Sequence, residues 1–141
     1  MQISSEQQKE IDKIFEQKQV IFAYLFGSQA NGTAIKSSDV DIAVMFQKNL
    51  TEGERFQKRL QLMSVLPKIF DNKKVEVVSL NDIKDILFKF SIIQPGKIIF
   101  KKDYDALLNF DLQTANDYYD FKPFLEMYNE AYGERALVKN I

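Results

Sequence analysis

Two aspartates, Asp39 and Asp41, break into the run SDVDIAV where a strand would otherwise store valines. Just upstream, the apolar run VIFAYLF stops at Gly27-Ser28. Side chains along a strand alternate faces, so Asp39 and Asp41 are expected to point the same way, roughly 7 Å apart along the backbone. Like charges so placed raise one another's pKa and repel unless a cation neutralises them. Magnesium suits that role, because it is hard, prefers oxygen and completes its shell with waters and substrate phosphates; manganese takes oxygen ligands as well. Gly27 allows close backbone approach, and a strand turning there into a short helix presents N–H groups and the Ser28 hydroxyl to an anion such as phosphate. Glu76, in KVEVV, is the acid that interrupts a later apolar run, and it would supply a third carboxylate from a neighbouring strand. Three carboxylates around two metals fit the activation of an attacking oxygen and the stabilisation of a leaving one, the arrangement of phosphoryl and nucleotidyl transfer.

Each fragment alone has a plainer reading. A lone D-x-D is mostly a turn or strand end, a lone G-S mostly a loop, and an acid on a strand's solvent face is ordinary. Their joint spacing in a strand, turn, strand context is what favours a site. Lys73 and Lys74 could neutralise phosphate, but such a pair before a strand reads as a solvated turn. Arg55 and Arg59, at helical spacing with Glu52, read as an exposed face with a salt bridge.

Composition restricts the chemistry. The chain has 141 residues, 45% hydrophobic and 28% charged, which fits one globular domain over 1–141. The net charge of −1 leaves no basic footprint for a nucleic-acid backbone, so direct nucleic-acid binding is not expected. Cysteine and histidine are absent, which removes disulfides, thiol nucleophiles, cysteine zinc sites and the commonest general base. The polar start MQISSEQQKEIDKIF and the lack of a membrane-length apolar window predict a cytoplasmic protein with no membrane association.

The elements that must position these residues alternate between helix and strand. Ser4 or Ser5 can cap a helix to about Gln17, with Ile11, Ile14 and Phe15 at helical spacing. Val20–Phe26 and Val40–Phe46 read as strands, and Ser28 to Ser38 as a helical turn and loop. Thr51 caps a helix expected to reach Phe70, with Phe56, Leu60, Met63, Leu66 and Phe70 on one side and Pro67 as a kink or early stop. Lys74 to Leu80 is a third strand, Asn81 or Asp82 can cap a helix to about Ile93, and Pro95-Gly96 turns into the strand KIIF. From Tyr104 onward the pattern is helical and aromatic, with Tyr118, Phe121, Leu125, Tyr128 and Tyr132 at helical spacing. Such stripes usually dock on their own core, but this segment, about 104–141, has more aromatics than one small sheet requires, which leaves a partner-facing role open. The predicted class is α/β (α+β), a small mixed sheet flanked by helices.

Gly27-Ser28, ten intervening residues and Asp39-Val40-Asp41, read as GSxAxGxxxxxSDxD, resemble the signature of the nucleotidyltransferase superfamily that includes DNA polymerase β. The short chain with one further acid, and the tail YYDFKPFLEMY, resemble its minimal nucleotidyltransferase (MNT) branch, the antitoxins encoded beside HEPN-domain toxins. The resemblance implies a polymerase β-like fold, with Asp39, Asp41 and Glu76 as catalytic metal ligands and Glu76 as a base. It implies Gly27 and Ser28, with Asp39 and Asp41, as the nucleotide-binding set for ATP. It also implies transfer of AMP to a tyrosine of a cognate HEPN ribonuclease toxin, in a hetero-oligomer. Many relatives carry arginine where this chain has Asn31. Two other outcomes remain open: modification of a small hydroxylated molecule, as in aminoglycoside nucleotidyltransferases, or an antitoxin that acts by binding alone. Against the last stands the expectation that an idle site would not keep buried, repelling charges.

Overall fold

The computed structural model describes residues 1–32, 34 and 38–140, with side chains described for 1–30, 32, 34 and 38–131. Helix α1 (Ser5–Gln17) starts with a capping box, in which the Ser4 hydroxyl accepts from the Gln7 amide and the Gln7 side chain accepts from the Ser4 amide. It buries Ile11 and Phe15 and leads into β1 (Val20–Phe26). A short helical turn, α2 (Ser28–Asn31), precedes β2 (Val40–Phe46), and α3 (Glu52–Val65) carries the chain to β3 (Val75–Ser79). Helix α4 (Ile86–Ile93), β4 (Lys97–Lys101) and α5 (Tyr104–Asn140) follow.

The four strands form one sheet in the order β3-β2-β1-β4. Strand β1 is antiparallel to β2 and to β4, whereas β2 and β3 are parallel, so the sheet is mixed as expected. A parallel pair requires a crossover, and α3 supplies it. One sheet face, with Ala23, Leu25, Ile42, Val44 and Val77, packs on Ile11 and Phe15 of α1 and Leu62 of α3. The other, with Phe22, Tyr24 and Ala43, packs on Ile92 of α4 and Leu107 of α5. Asp41 is in phase with Ala43, and Glu76 with Val78, so both carboxylates belong to the α4/α5 face.

Three expectations are corrected. Helix α3 ends at Val65 and Pro67 sits in a 3₁₀ turn, Leu66–Lys68, so the helix does not reach Phe70. Leu62 is its buried core residue and Leu66 is buried in the turn that follows, while Phe56 and Leu60 are exposed at 52% and 44%. At 100° per residue, positions six and two before Leu62 fall on the opposite side of the helix. Helix α4 begins later than expected and is capped by Asp85, whose carboxylate accepts from the amides of Leu87 and Phe88. Asn81 is engaged elsewhere, accepting from the Phe46 amide at 2.8 Å and donating to its carbonyl at 3.1 Å. Asp82 accepts two hydrogen bonds from the Arg55 guanidinium, at 2.6 and 2.9 Å. Arg55 therefore joins α3 to the loop after β3 instead of bridging to Glu52 as its main partner, and Arg59 donates to the Val77 carbonyl at 3.0 Å.

Helix α5 tracks β1. Phe110 packs on Phe22, the Tyr24 hydroxyl donates to Asp111, and Tyr118 stacks face to face on Phe90 of α4, whose neighbour Phe88 meets Phe26. Helix α5 thus meets β1 at Phe22 and Tyr24 and meets α4 at Phe90. Pro123 lies inside α5 and cannot donate to the Tyr119 carbonyl. Around and beyond it Phe121, Phe124, Met127 and Tyr128 are exposed. No helix among the described residues is long and apolar enough to cross a membrane.

Candidate active site

The end of the sheet where β1 stops gathers the expected residues. Phe26 pairs with Asp41 across β1 and β2, and Asp41 pairs with Glu76 across β2 and β3. Strand β2 begins at Val40, as expected, so Asp39 stands immediately before it and is exposed. The Asp41 carboxyl is held above the usual aspartate range, first by burial and then by the charges of Asp39 and Glu76. Asp39 and Glu76 therefore each lie within electrostatic reach of Asp41. Asp41 and Glu76 are half-buried and Asp39 is exposed, so the expectation of buried charges is corrected: the acids line an open edge.

Gly27 is required twice over. Its φ of +71° lies in the left-handed region, and a Cβ there would come within 2.5 Å of Asp41 Oδ2. The turn therefore presses bare backbone against the carboxylate that the strand pairing delivers. Ser28 opens α2, half-buried beside it. The next residue, Gln29, was not singled out from the sequence. It is 3% exposed and its amide donates to the Ser38 carbonyl at 3.2 Å, tying the turn to the residue before Asp39. A glutamine at a variable position of the motif gives no signal by type alone. The Asn31 side chain lies outside the described residues.

Lys74 is the second residue whose place the sequence reading missed. Its carbonyl accepts from the Val40 amide at 2.9 Å, and its ammonium meets Glu76 Oε1 at 3.0 Å. The donor set is all carboxylate oxygen, which fits a hard divalent cation. Among the described residues no three acidic side chains stand in ready metal-holding geometry, and the Glu76 carboxylate is engaged by Lys74.

The fold is shared with solved toxin–antitoxin structures. A complex with AMP-PNP matches at 24% identity with a TM-score of 0.58, over 94% of this chain and 95% of the other. A tri-AMPylated Shewanella oneidensis HEPN toxin in complex with MNT antitoxin matches at 22% identity and 0.53, over 95% and 93%. An MntA-HpeT complex carrying two aspartate-to-glutamate substitutions matches at 23% identity and 0.57, over 94% and 95%. No curated protein sequence matches this chain. Residues 9–105, which span every strand and the whole acidic edge, match the family described as polymerase beta, nucleotidyltransferase, and the chain belongs to that family.

Proposed function

We propose that this nucleotidyltransferase is an antitoxin that moves AMP from ATP to a tyrosine hydroxyl of a HEPN-domain toxin. The observation that carries the reading is the strand register that sets Asp41 beside Glu76, with Asp39 adjacent and Gly27 packed on Asp41. The named neighbours support the partner, since one is an AMPylated HEPN toxin with its MNT antitoxin and another holds AMP-PNP. Asp39, Asp41 and Glu76 would hold divalent ions, magnesium or manganese, which supply positive charge at the reacting phosphate and the departing pyrophosphate. Gly27 and Ser28 bind phosphate oxygens through backbone N–H groups and the hydroxyl. The tyrosine oxygen bonds to the α-phosphorus, the bond from that phosphorus to the bridging oxygen breaks, and pyrophosphate leaves. The phenolic proton passes to Glu76. Helix α5 supports a protein acceptor, because its exposed Phe121, Phe124, Met127 and Tyr128 offer apolar surface that suits a protein interface.

The test is incubation with α-labelled ATP, magnesium and the HEPN partner, using the natural chain, Asp39→Ala and Asp41→Ala. Label on the partner is expected, reduced on the order of 100-fold or more in each variant. Tight partner binding with no label would favour an antitoxin that acts by binding alone, and label confined to added aminoglycosides would favour a small-molecule enzyme. Either result overturns the reading.

A further inference from the structure

The acidic edge contains its own cation. Strands β2 and β3 are parallel, with Val40 opposite Val75 and Asp41 opposite Glu76, so Asp39 falls opposite Lys74. The 2.9 Å bond from the Val40 amide to the Lys74 carbonyl fixes that alignment. Lys74 and Glu76, two residues apart, project to the same side. One corner of the sheet thus holds three carboxylates and one ammonium, and the ammonium is 3.0 Å from Glu76. The lysine side chain is 69% exposed and the glutamate 46%, and an ion pair so open to water is readily exchanged.

We propose that Lys74 is a resident counter-ion of the acidic edge, paired with Glu76 while no nucleotide is bound and released from it when metal and nucleotide arrive together. This deepens the proposed function and rests on its assignment of Asp39, Asp41 and Glu76 to divalent cations. The consequence is coupling. A bare divalent ion must displace a positive charge from Glu76, so it binds weakly alone. A nucleotide brings phosphates that give the displaced ammonium a new partner, so metal capture becomes conditional on nucleotide. Lys74 is a positioning residue in this scheme, acting on Glu76 and on charge balance.

Manganese binding, read from the enhancement of water-proton relaxation over protein-free controls containing the same nucleotide, tests it without any turnover. The natural chain, Lys74→Met and Lys74→Arg are titrated with manganese, alone and with AMP-PNP, after circular dichroism has established equal folding. Removing one nearby positive charge at a solvent-screened site is expected to tighten manganese binding without nucleotide about three- to tenfold. Lys74→Arg retains the charge and is expected to match the natural chain. The gain in manganese affinity on adding AMP-PNP is expected to be smaller in Lys74→Met than in the natural chain. Equal or weaker nucleotide-free binding in Lys74→Met would overturn the counter-ion role while leaving the metal reading intact. Failure of all three proteins to bind manganese even with AMP-PNP would overturn the metal reading and the inference with it.

Discussion

Asp41 is costly to keep, and the cost can be measured. Its carboxyl sits between Gly27 and the paired Glu76, partly out of water and beside two like charges, which raises its pKa. A carboxyl whose pKa is higher in the folded chain than in the unfolded one binds protons more readily when folded, so stability falls as pH rises through that pKa. Below the unfolded value the carboxyl is protonated in both states and the cost vanishes. Asp41→Asn keeps the shape and removes the charge. In metal-free buffer at neutral pH it is expected to melt about 1–3 °C above the natural chain, with the difference disappearing below the ordinary aspartate range. Thermal unfolding followed by circular dichroism across that range is the measurement. An equal or lower midpoint at neutral pH would mean that Asp39 and Glu76 do not press on Asp41. A variant that is inactive yet more stable is the expected signature of a functional charge retained against the interest of the fold.

At the scale of elements, helix α5 is tied to the sheet by a polar contact within an apolar seam. The Tyr24 hydroxyl donates to Asp111, and burial, then this bond, pushes the phenol pKa up. Burial raises the Asp111 carboxyl too, while the Tyr24 hydroxyl pulls it back. Tyr24→Phe leaves that carboxylate without its donor and is expected to cost about 1–2 kcal/mol in urea unfolding, the lower part of the range because Asp111 is only half-buried. The cost should shrink as pH falls through the raised Asp111 pKa and the group takes a proton. Adding Asp111→Leu to Tyr24→Phe should recover most of the loss, since both polar partners are then gone, and an additive double mutant would refute the coupling. Neither partner in this contact could be found by reading along the chain, because an aspartate on a helix and a tyrosine in a strand meet only through packing. The strands were more legible: β1 and β2 have the predicted bounds, since Gly27 ends one apolar run and Val40 follows the acid that opens the next. The start of α4 was not, because Asn81, Asp82 and Asp85 are all capping types and only tertiary partners decide among them. The site was half legible in the same sense. Motif spacing marked Gly27, Ser28, Asp39 and Asp41, whereas the pairing of Glu76 with Asp41 and the place of Lys74 depend on the parallel register that the α3 crossover creates.

For the molecule as a whole, the sheet carries its acids at one end and α5 continues beyond its packing on α4. Tyr118 and Tyr119 of α5 contact Phe90 of α4. From Asp120 to Ala131 the described side chains are exposed apart from Leu125, and they include Phe121, Phe124, Met127 and Tyr128. Apolar surface of this kind adds little to the body's stability but suits an interface, where a few buried aromatics dominate the energy. The aromatic stripe expected from the sequence therefore divides, with Tyr118 serving the core and Phe121 and Tyr128 facing outward; the Tyr132 side chain lies outside the described residues. A chain ending after Asp120 separates the two roles. It is expected to unfold cooperatively within about 3 °C of the full chain, because every strand and the Phe90 stack are retained. Its affinity for AMP-PNP should stay within about twofold, as no residue of the proposed nucleotide site is removed, while its affinity for a HEPN-domain toxin, the partner in the proposed function, should fall on the order of 100-fold with the loss of several aromatic anchors. Label transfer to the partner should fall with binding and recover in part at high partner concentration, since the acids and the Gly27 turn are untouched. A shortened chain that still held the partner as tightly as the full one would move the docking surface off the end of α5, and the exposed Leu87 and Phe88 of α4, the latter packed on Phe26, would be the surface to test next.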